Sequence, residues 1–192
     1  MLVAEISPFF ALHGTGFPVE YKTATINGVN MFYREAGPKD APVILLLHGF
    51  PSSSRMFATL LPRLAANYHV IAPDYPGFGH SDAPSPEAFA YTFDHLANCV
   101  DKLVEQLGVR RYAFYLQDYG GPIGFRLAVA HPERVTALII QNAVVHLEGL
   151  SDAWNIRKAF WQDRAAYEEK LRQALISIEV ARQRHTGGVV KS

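Results

Sequence analysis

Asp118 has the sequence setting of a nucleophile. It follows the apolar run Tyr112–Gln117 and comes directly before Tyr119, Gly120 and Gly121. This pattern predicts a strand, a sharp turn that two glycines make narrow, and a helix whose N-terminus places positive potential beside the carboxylate. A carboxylate presented in this way forms an ester with a carbon atom of its substrate. The alternative is an Asp that only caps the helix, but the strand before it and the helix after it favour the nucleophile.

A second turn accompanies the first one. Residues 48–51 (His-Gly-Phe-Pro) follow the apolar run Val43–Leu47. We expect the backbone amide of Phe50 to point into the same crevice as the amide of Tyr119, so that the two amides form an oxyanion hole. The side chain of His48 is expected to orient this loop rather than to catalyse.

The remaining patterns predict the elements that position these residues. Residues 19–34 indicate a β-hairpin around Asn27-Gly28, and two further apolar runs, His69–Ala72 and Tyr112–Gln117, are typical of covered parallel strands. Val135–Val144 is a fourth apolar run. Helical spacing is found in Arg55–Ala66, in the segment from Thr92 to Gly108 and from Asp118 to Ala130. This alternation predicts an α/β fold, a mostly parallel doubly wound sheet led by an antiparallel hairpin.

The composition changes after residue 147. Residues 1–147 are predicted to form the α/β core, and residues 148–192 a partial helical cap. Six apolar residues of the cap are expected to be buried: Trp154, Phe160, Trp161, Leu171, Leu175 and Ile178. Trp154 and Trp161, together with Tyr167, are also candidates for lining a pocket for a small apolar substrate.

Composition and charge argue against several classes of function. The 192 residues include 18 basic and 18 acidic side chains, and no basic patch suggests nucleic acid. No apolar stretch is long enough for a membrane span, and the N-terminus lacks the pattern of a signal peptide. Cys99 is the single cysteine, which favours a cytoplasmic location and rules out disulfides within the chain. Scattered histidines and an incomplete Gly77-x-Gly79 motif predict neither a metal nor another cofactor.

In this order the motifs resemble the α/β-hydrolase superfamily, in the branch of epoxide hydrolases and haloalkane dehalogenases. The resemblance covers the hairpin, residues 48–51, the loop 74–82, the Asp118 turn, residues 131–135 and the start of a cap. It implies that Asp118 is the nucleophile and that Phe50 and Tyr119 supply the oxyanion amides. It also implies a hydrolase that attacks an apolar carbon electrophile.

Some motifs of this chain are more similar to epoxide hydrolases, and others are more similar to haloalkane dehalogenases. His-Gly-Phe-Pro is similar to epoxide hydrolases, whereas the turn around Asp118 is more similar to dehalogenases, which typically carry Trp where this chain has Tyr119. Epoxide opening requires an acidic donor, usually a tyrosine of the cap, and Tyr167 is the tyrosine of the predicted cap. We expect an epoxide hydrolase-like activity, with a haloalkane dehalogenase-like activity, a non-catalytic binding protein or an inactive fragment as alternatives.

The resemblance also implies an acid and a histidine that follow the nucleophile and activate the water for ester hydrolysis. Asn142 stands where some relatives carry the acid. His131 is expected to be structural, and His185 belongs to the tail of the cap. His146 could approach the cleft but is expected to solvate or pack its loop, so no catalytic histidine is assigned. The sequence is therefore expected to be a C-terminally truncated hydrolase that turns over poorly. Its last strand is expected to leave an uncovered edge through which the chain self-associates.

Overall fold

The computed structural model describes residues 17–186, apart from the side chains of residues 153, 184 and 185. Within this part of the chain six strands form one sheet: β1 (Glu20–Ile26), β2 (Val29–Ala36), β3 (Val43–Leu47), β4 (His69–Pro73), β5 (Tyr112–Gln117) and β6 (Val135–Gln141). Their order is β1-β2-β4-β3-β5-β6, with β1, β2 and β4 paired antiparallel and β4, β3, β5 and β6 paired parallel. The predicted mostly parallel sheet with a leading antiparallel hairpin is confirmed.

The α-helices of the described residues are α1 (Leu61–Leu64), α2 (Phe93–Gln106), α3 (Gly120–Ala130), α4 (Asn155–Gln162), α5 (Arg164–Ile176) and α6 (Ile178–Thr186). None of them combines the length and the apolar composition that crossing a bilayer requires. By backbone contacts the chain divides into two units, one that extends to Val145 and one that begins at His146.

The hairpin forms because its turn residues accept left-handed backbone angles. Asn27 has φ 52° and Gly28 has φ 81°, the geometry of the two-residue turn that matches the twist of paired strands. At its far end the buried Glu35 accepts hydrogen bonds from Lys22 Nζ at 2.8 Å and from the ring of His69 at 2.6 Å. Burial alone would raise the pKa of Glu35, but bonds from Lys22, Lys39 and His69 lower it to about 2. The hairpin is thereby fastened to β4.

Alternating side chains of the central strands pack on opposite faces of the sheet. Leu45 and Leu47 of β3 belong to the larger core cluster, which includes the buried residues of α2 and α3. Ile44 and Leu46 belong to a second cluster on the other face. A strand covered on both faces needs apolar residues at every position, which explains the unbroken run Val43–Leu47.

Helix α2 begins and ends as the sequence predicts. The hydroxyl of Thr92 accepts a hydrogen bond from the amide of His95 at 3.2 Å, and Gly108 follows the helix with φ 70°. The predicted apolar face is buried at Leu96, Val100, Leu103 and Val104, and Cys99 is buried beside it. This helix is therefore fixed at both ends and along one side.

The prediction of a helix over Arg55–Ala66 is wrong for most of its length. A 3-10 turn spans Ser54–Phe57, and α1 contains only four residues. Pro62 lies in the first turn of α1, where its missing N–H donor has no cost. Similarly, the fourth apolar run ends as a strand at Gln141 rather than Val144, because Asn142 turns the backbone to φ 47°.

In the second unit the predicted burial of the cap residues is wrong. Trp161 is 53% exposed and Ile178 is 70% exposed. The other four residues named above (Trp154, Phe160, Leu171 and Leu175) are half-buried. Helical spacing correctly predicts the helices here, but it does not reveal which helix faces have a partner.

Strand β6 lies at the edge of the described sheet, as the sequence predicts for the last strand. Its apolar residues are unusually exposed, with Ile139 at 48% and Ile140 at 51%. The strand carries no charged residue and no proline, the features that commonly prevent edge strands from pairing with other chains.

We expect this edge to promote self-association. Replacing Ile139 with Lys adds charge to the edge and should keep the chain monomeric at concentrations where the unchanged chain associates. Sedimentation velocity over a range of concentrations measures this. Val129→Lys, at an 81% exposed position of α3, is the matched control and should associate like the unchanged chain. Equal masses for all three proteins would contradict the expectation.

Candidate active site

Asp118 occupies a tight left-handed turn between β5 and α3. Its φ angle is 49°, an uncommon value for a residue with a side chain. Glycines make room for this turn: a Cβ atom on Gly120 would overlap the carbonyl oxygen of Leu47, and one on Gly49 would overlap the Asp118 side chain. The strand, sharp turn and helix predicted from the sequence are all present.

Two backbone amides converge on the Asp118 carboxylate. The amide of Phe50 donates to Oδ1 at 2.9 Å, and the amide of Tyr119 donates to the same oxygen at 2.8 Å. These are the two amides expected to meet, and the structure brings them together on the predicted nucleophile. They lie on separate elements, one on the loop after β3 and the other at the start of α3, which are adjacent because β3 and β5 pair in parallel.

His48 is completely buried below this pair of amides. Its Nδ1 lies 3.0 Å from the carbonyl oxygen of Gly49, so a hydrogen bond here requires the tautomer with a proton on Nδ1. The ring stacks on Tyr75 with centroids 4.2 Å apart, and the Tyr75 hydroxyl donates to the His48 carbonyl at 3.0 Å. Burial lowers the pKa of His48, which favours the neutral ring. These contacts support the expected role of orienting the loop.

Asp74, which was not predicted as a site residue, organises the surrounding loops. Its buried carboxylate accepts from the amide of Ser54 at 2.6 Å and from the amide of His80 at 2.9 Å. It therefore joins the loop after β3 to the loop after β4. The available signal was an Asp directly after a buried strand, at the same edge of the sheet as Asp118.

Aromatic rings pack around Phe50 and Tyr119, the two residues whose amides hold Asp118. The ring of Phe50, 37% exposed, lies 5.6 Å from Tyr119 and 6.3 Å from Phe78. Phe93, the first residue of α2, meets Tyr119 edge to face at 5.0 Å. Phe78 and Phe93 were not predicted, because their loop and helix are distant in sequence from Asp118. The rings give this end of the sheet an apolar character.

Four histidine rings of the first unit are engaged elsewhere. His69 pairs with Glu35, and His131 lies 3.1 Å from Asp101. His95 lies 3.0 Å from the carbonyl oxygen of Ala90, and the ring of His80 packs against Phe32 at 4.9 Å. Of the described histidines between residues 17 and 145, these four are held in contacts away from Asp118, whereas His48 is buried in the adjoining loop, within electrostatic range of the Asp118 carboxylate.

The other predicted site residues belong to the second unit. The rings of Trp154 and Trp161 lie 6.1 Å apart, and the Lys170 ammonium lies 5.1 Å from the centre of the Tyr167 ring. Whether these three aromatic residues contact a substrate stays a prediction. His146, at the start of this unit, precedes a 3-10 turn.

Comparison with known proteins identifies the family. Residues 42–188 match the family described as the alpha/beta hydrolase fold, and the chain belongs to this family. It is 45% identical over 143 residues to an uncharacterised hydrolase of Saccharomyces cerevisiae, covering 74% of this chain and 49% of the yeast protein. It is 36% identical over 147 residues to a haloalkane dehalogenase of Bradyrhizobium diazoefficiens, covering 77% and 46%.

A solved structure supports the same family. The epoxide hydrolase CorEH superposes with a TM-score of 0.70 at 28% sequence identity, over 86% of this chain and 59% of that one. The chain spans about half the length of the curated relatives it matches.

The narrow turn provides a first test of the site. Replacing Gly120 with Ala introduces a Cβ atom against the backbone of Leu47 and should lower the free energy of unfolding by about 1–3 kcal/mol. Chemical denaturation measures the change. Gly108→Asn is the control, because Gly108 has space for a side chain and Asn tolerates its left-handed backbone. Similar losses for both variants would contradict the close approach at Gly120.

His48 provides a second test, through pH. Because burial lowers its pKa in the folded protein, the unfolded chain takes up a proton first as the pH falls. The contribution of the neutral ring to stability should be complete above the unfolded pKa of about 6.5 and should be lost below it. In urea denaturation between pH 5 and 8, the free energy of unfolding should change less with pH for His48→Gln than for the unchanged chain. An equal change with pH in both proteins would contradict this expectation.

Proposed function

We propose that this chain is a hydrolase-type protein whose Asp118 carboxylate attacks an apolar carbon electrophile and forms an ester. The observation that carries the proposal is the convergence of two amides on Oδ1 of Asp118. Since both amides hold Oδ1, Oδ2 is the oxygen that attacks. When water later adds to the ester carbonyl, negative charge develops on Oδ1, where the two donors already point.

An epoxide is the proposed substrate class. Oδ2 forms a bond to one ring carbon as the bond from that carbon to the ring oxygen breaks. The electron pair stays on the oxygen, which takes a proton from an acidic donor, and a hydroxyalkyl ester results. The hydroxyl of Tyr119, the residue that follows the nucleophile, is our proposed donor within the first unit, and Tyr167 is a second candidate. The apolar rings of Phe50 and Phe78 suit a hydrocarbon substituent.

A haloalkane is the second candidate, favoured by the relatives that carry the name haloalkane dehalogenase. Here Oδ2 displaces halide from carbon, and the halide leaves with the bonding electrons. The Phe50 side chain has no donor for a departing halide, so Tyr119 would have to supply one. Because the Phe50 side chain cannot donate to a halide, we rank an epoxide above a haloalkane as the proposed substrate.

Ester hydrolysis is proposed to be slow in this chain. It requires a base that activates water, and a histidine ordinarily performs this step. In the first unit His69 and His131 pair with carboxylates, the buried His48 ring stacks on Tyr75, and Asn142 is exposed at the end of β6. We therefore propose that the ester accumulates, and that a partner able to supply an acid and a histidine would restore turnover.

Intact-mass spectrometry tests the nucleophile. With a small alkyl epoxide the unchanged chain should gain the full mass of the epoxide on Asp118, and with an alkyl bromide it should gain the alkyl group while bromide is released. Asp118→Ala should lose labelling, by at least about 100-fold, because the attacking atom is absent. Asp40→Ala, which removes an exposed carboxylate elsewhere, is the control.

The same experiment distinguishes an enzyme with a slow second step from an enzyme with full turnover and from a binding protein. Repeated turnover without an adduct would contradict the slow second step. A chain that binds the epoxide as tightly after Asp118→Ala, and that is never labelled, would be a binding protein instead of an enzyme.

A further inference from the structure

The ring of Tyr119 is enclosed by two other aromatic side chains. Phe50 lies on one side, with centroids 5.6 Å apart and an angle of 30° between the rings. Phe93 meets it nearly perpendicularly, at 5.0 Å and 84°. An edge-to-face arrangement at this distance is attractive and depends on direction, so it restricts the rotation of both rings.

Phe93 is itself held in place. It is the first residue of α2, directly after the N-cap Thr92, and its half-buried ring packs on the edge of the larger core. The guanidinium of Arg126 from α3 lies 5.7 Å from the ring centre. Arg126 also donates to Asp94 at 2.5 Å and to the carbonyl oxygen of Pro122 at 3.0 Å. The first turns of α2 and α3 are thereby joined beside Asp118.

We propose that Phe93 is a positioning residue that fixes the ring of Tyr119 and so sets the direction of its hydroxyl toward the leaving atom. The inference deepens the proposed function and rests on it, because the hydroxyl matters only if Asp118 attacks carbon. Phe93 acts through Tyr119 and touches no reacting atom. Its effect is to favour substrates whose leaving atom requires a proton or a hydrogen bond.

A purely structural role for Phe93 would have a different consequence. Loss of core packing would disturb the Asp118 turn as a whole and slow every reaction at that carboxylate equally. Loss of ring orientation slows most the reactions in which Tyr119 transfers a proton. An epoxide needs that proton when its ring opens, whereas iodide, a weakly basic anion, leaves with only a weak hydrogen bond from Tyr119 and depends on that hydroxyl much less.

The test compares labelling of Asp118 by an epoxide and by an alkyl iodide with the same carbon chain. Phe93→Leu should lower the ratio of the epoxide rate to the iodide rate by about 3- to 10-fold, which is the rate equivalent of one aromatic pair. Tyr119→Phe should lower this ratio at least as much. The double variant should match Tyr119→Phe alone, since both changes remove the same interaction.

Phe57→Leu is the matched control. Phe57 meets Tyr115 edge to face at 5.6 Å and 86°, but it belongs to the cluster on the other face of the sheet. This variant should leave the ratio unchanged. An unchanged ratio in Phe93→Leu, or fully additive effects in the double variant, would overturn the role of Phe93.

A second measurement does not depend on labelling. In protein containing 3-fluorotyrosine, the ¹⁹F signal of Tyr119, assigned by its loss in Tyr119→Phe, should shift in Phe93→Leu and stay in place in Phe57→Leu. An unmoved signal in Phe93→Leu overturns the inference even where no adduct forms. Failure of the unchanged chain to form any adduct, with the signal shift present, overturns the proposed function and leaves the contact between the two rings established.

Discussion

The candidate site depends on one geometric constraint, the convergence of the Phe50 and Tyr119 amides on a single oxygen of Asp118. Backbone amides cannot be moved independently of their elements. Their meeting point is therefore fixed by the parallel pairing of β3 and β5 and by the narrow turn into α3. A donor pair built from main chain is preorganised before any charge develops, so no reorganisation is needed when it does.

Two features of the structure hold the amides of Phe50 and Tyr119 in position. Glycines at positions 49 and 120 remove the side chains that would separate the loop from the turn. Asp74 then joins the loop after β3 to the loop after β4 through two backbone amides. Burying a carboxylate costs free energy unless hydrogen-bond donors satisfy it. Because the two donors lie on different loops, displacing either loop would leave the Asp74 carboxylate without one of its bonds. The buried ring of His48, stacked on Tyr75, completes the support of this loop.

The sequence predicted those features that local chemistry determines. Asn27-Gly28 requires a tight turn, Thr92 and Gly108 delimit α2, and the glycines after Asp118 require a sharp bend, so these elements and the two amide donors could be placed in advance. Contacts between distant segments could not be placed in this way. The bonds of Asp74, and the packing of Phe78 and Phe93 around the residues that supply the two amides, exist only because the sheet brings their loops to one edge. The exposure of Trp161 and Ile178 was missed because helical spacing shows that a helix has an apolar face, and burial depends on what covers that face.

Under the proposed function, ordinary packing around Asp118 would determine the type of substrate. Main-chain amides hold one carboxylate oxygen regardless of the substrate, so they would contribute nothing to a choice between an epoxide and a halide. That choice would depend on what donates to the leaving atom, and the proposed donor in the first unit is the hydroxyl of Tyr119, the residue after the nucleophile. The ring of Tyr119 lies between Phe50 and Phe93, two side chains without any polar atom. In this proposal, selectivity for the leaving group depends on aromatic packing around Tyr119, whereas attack on carbon depends on the backbone.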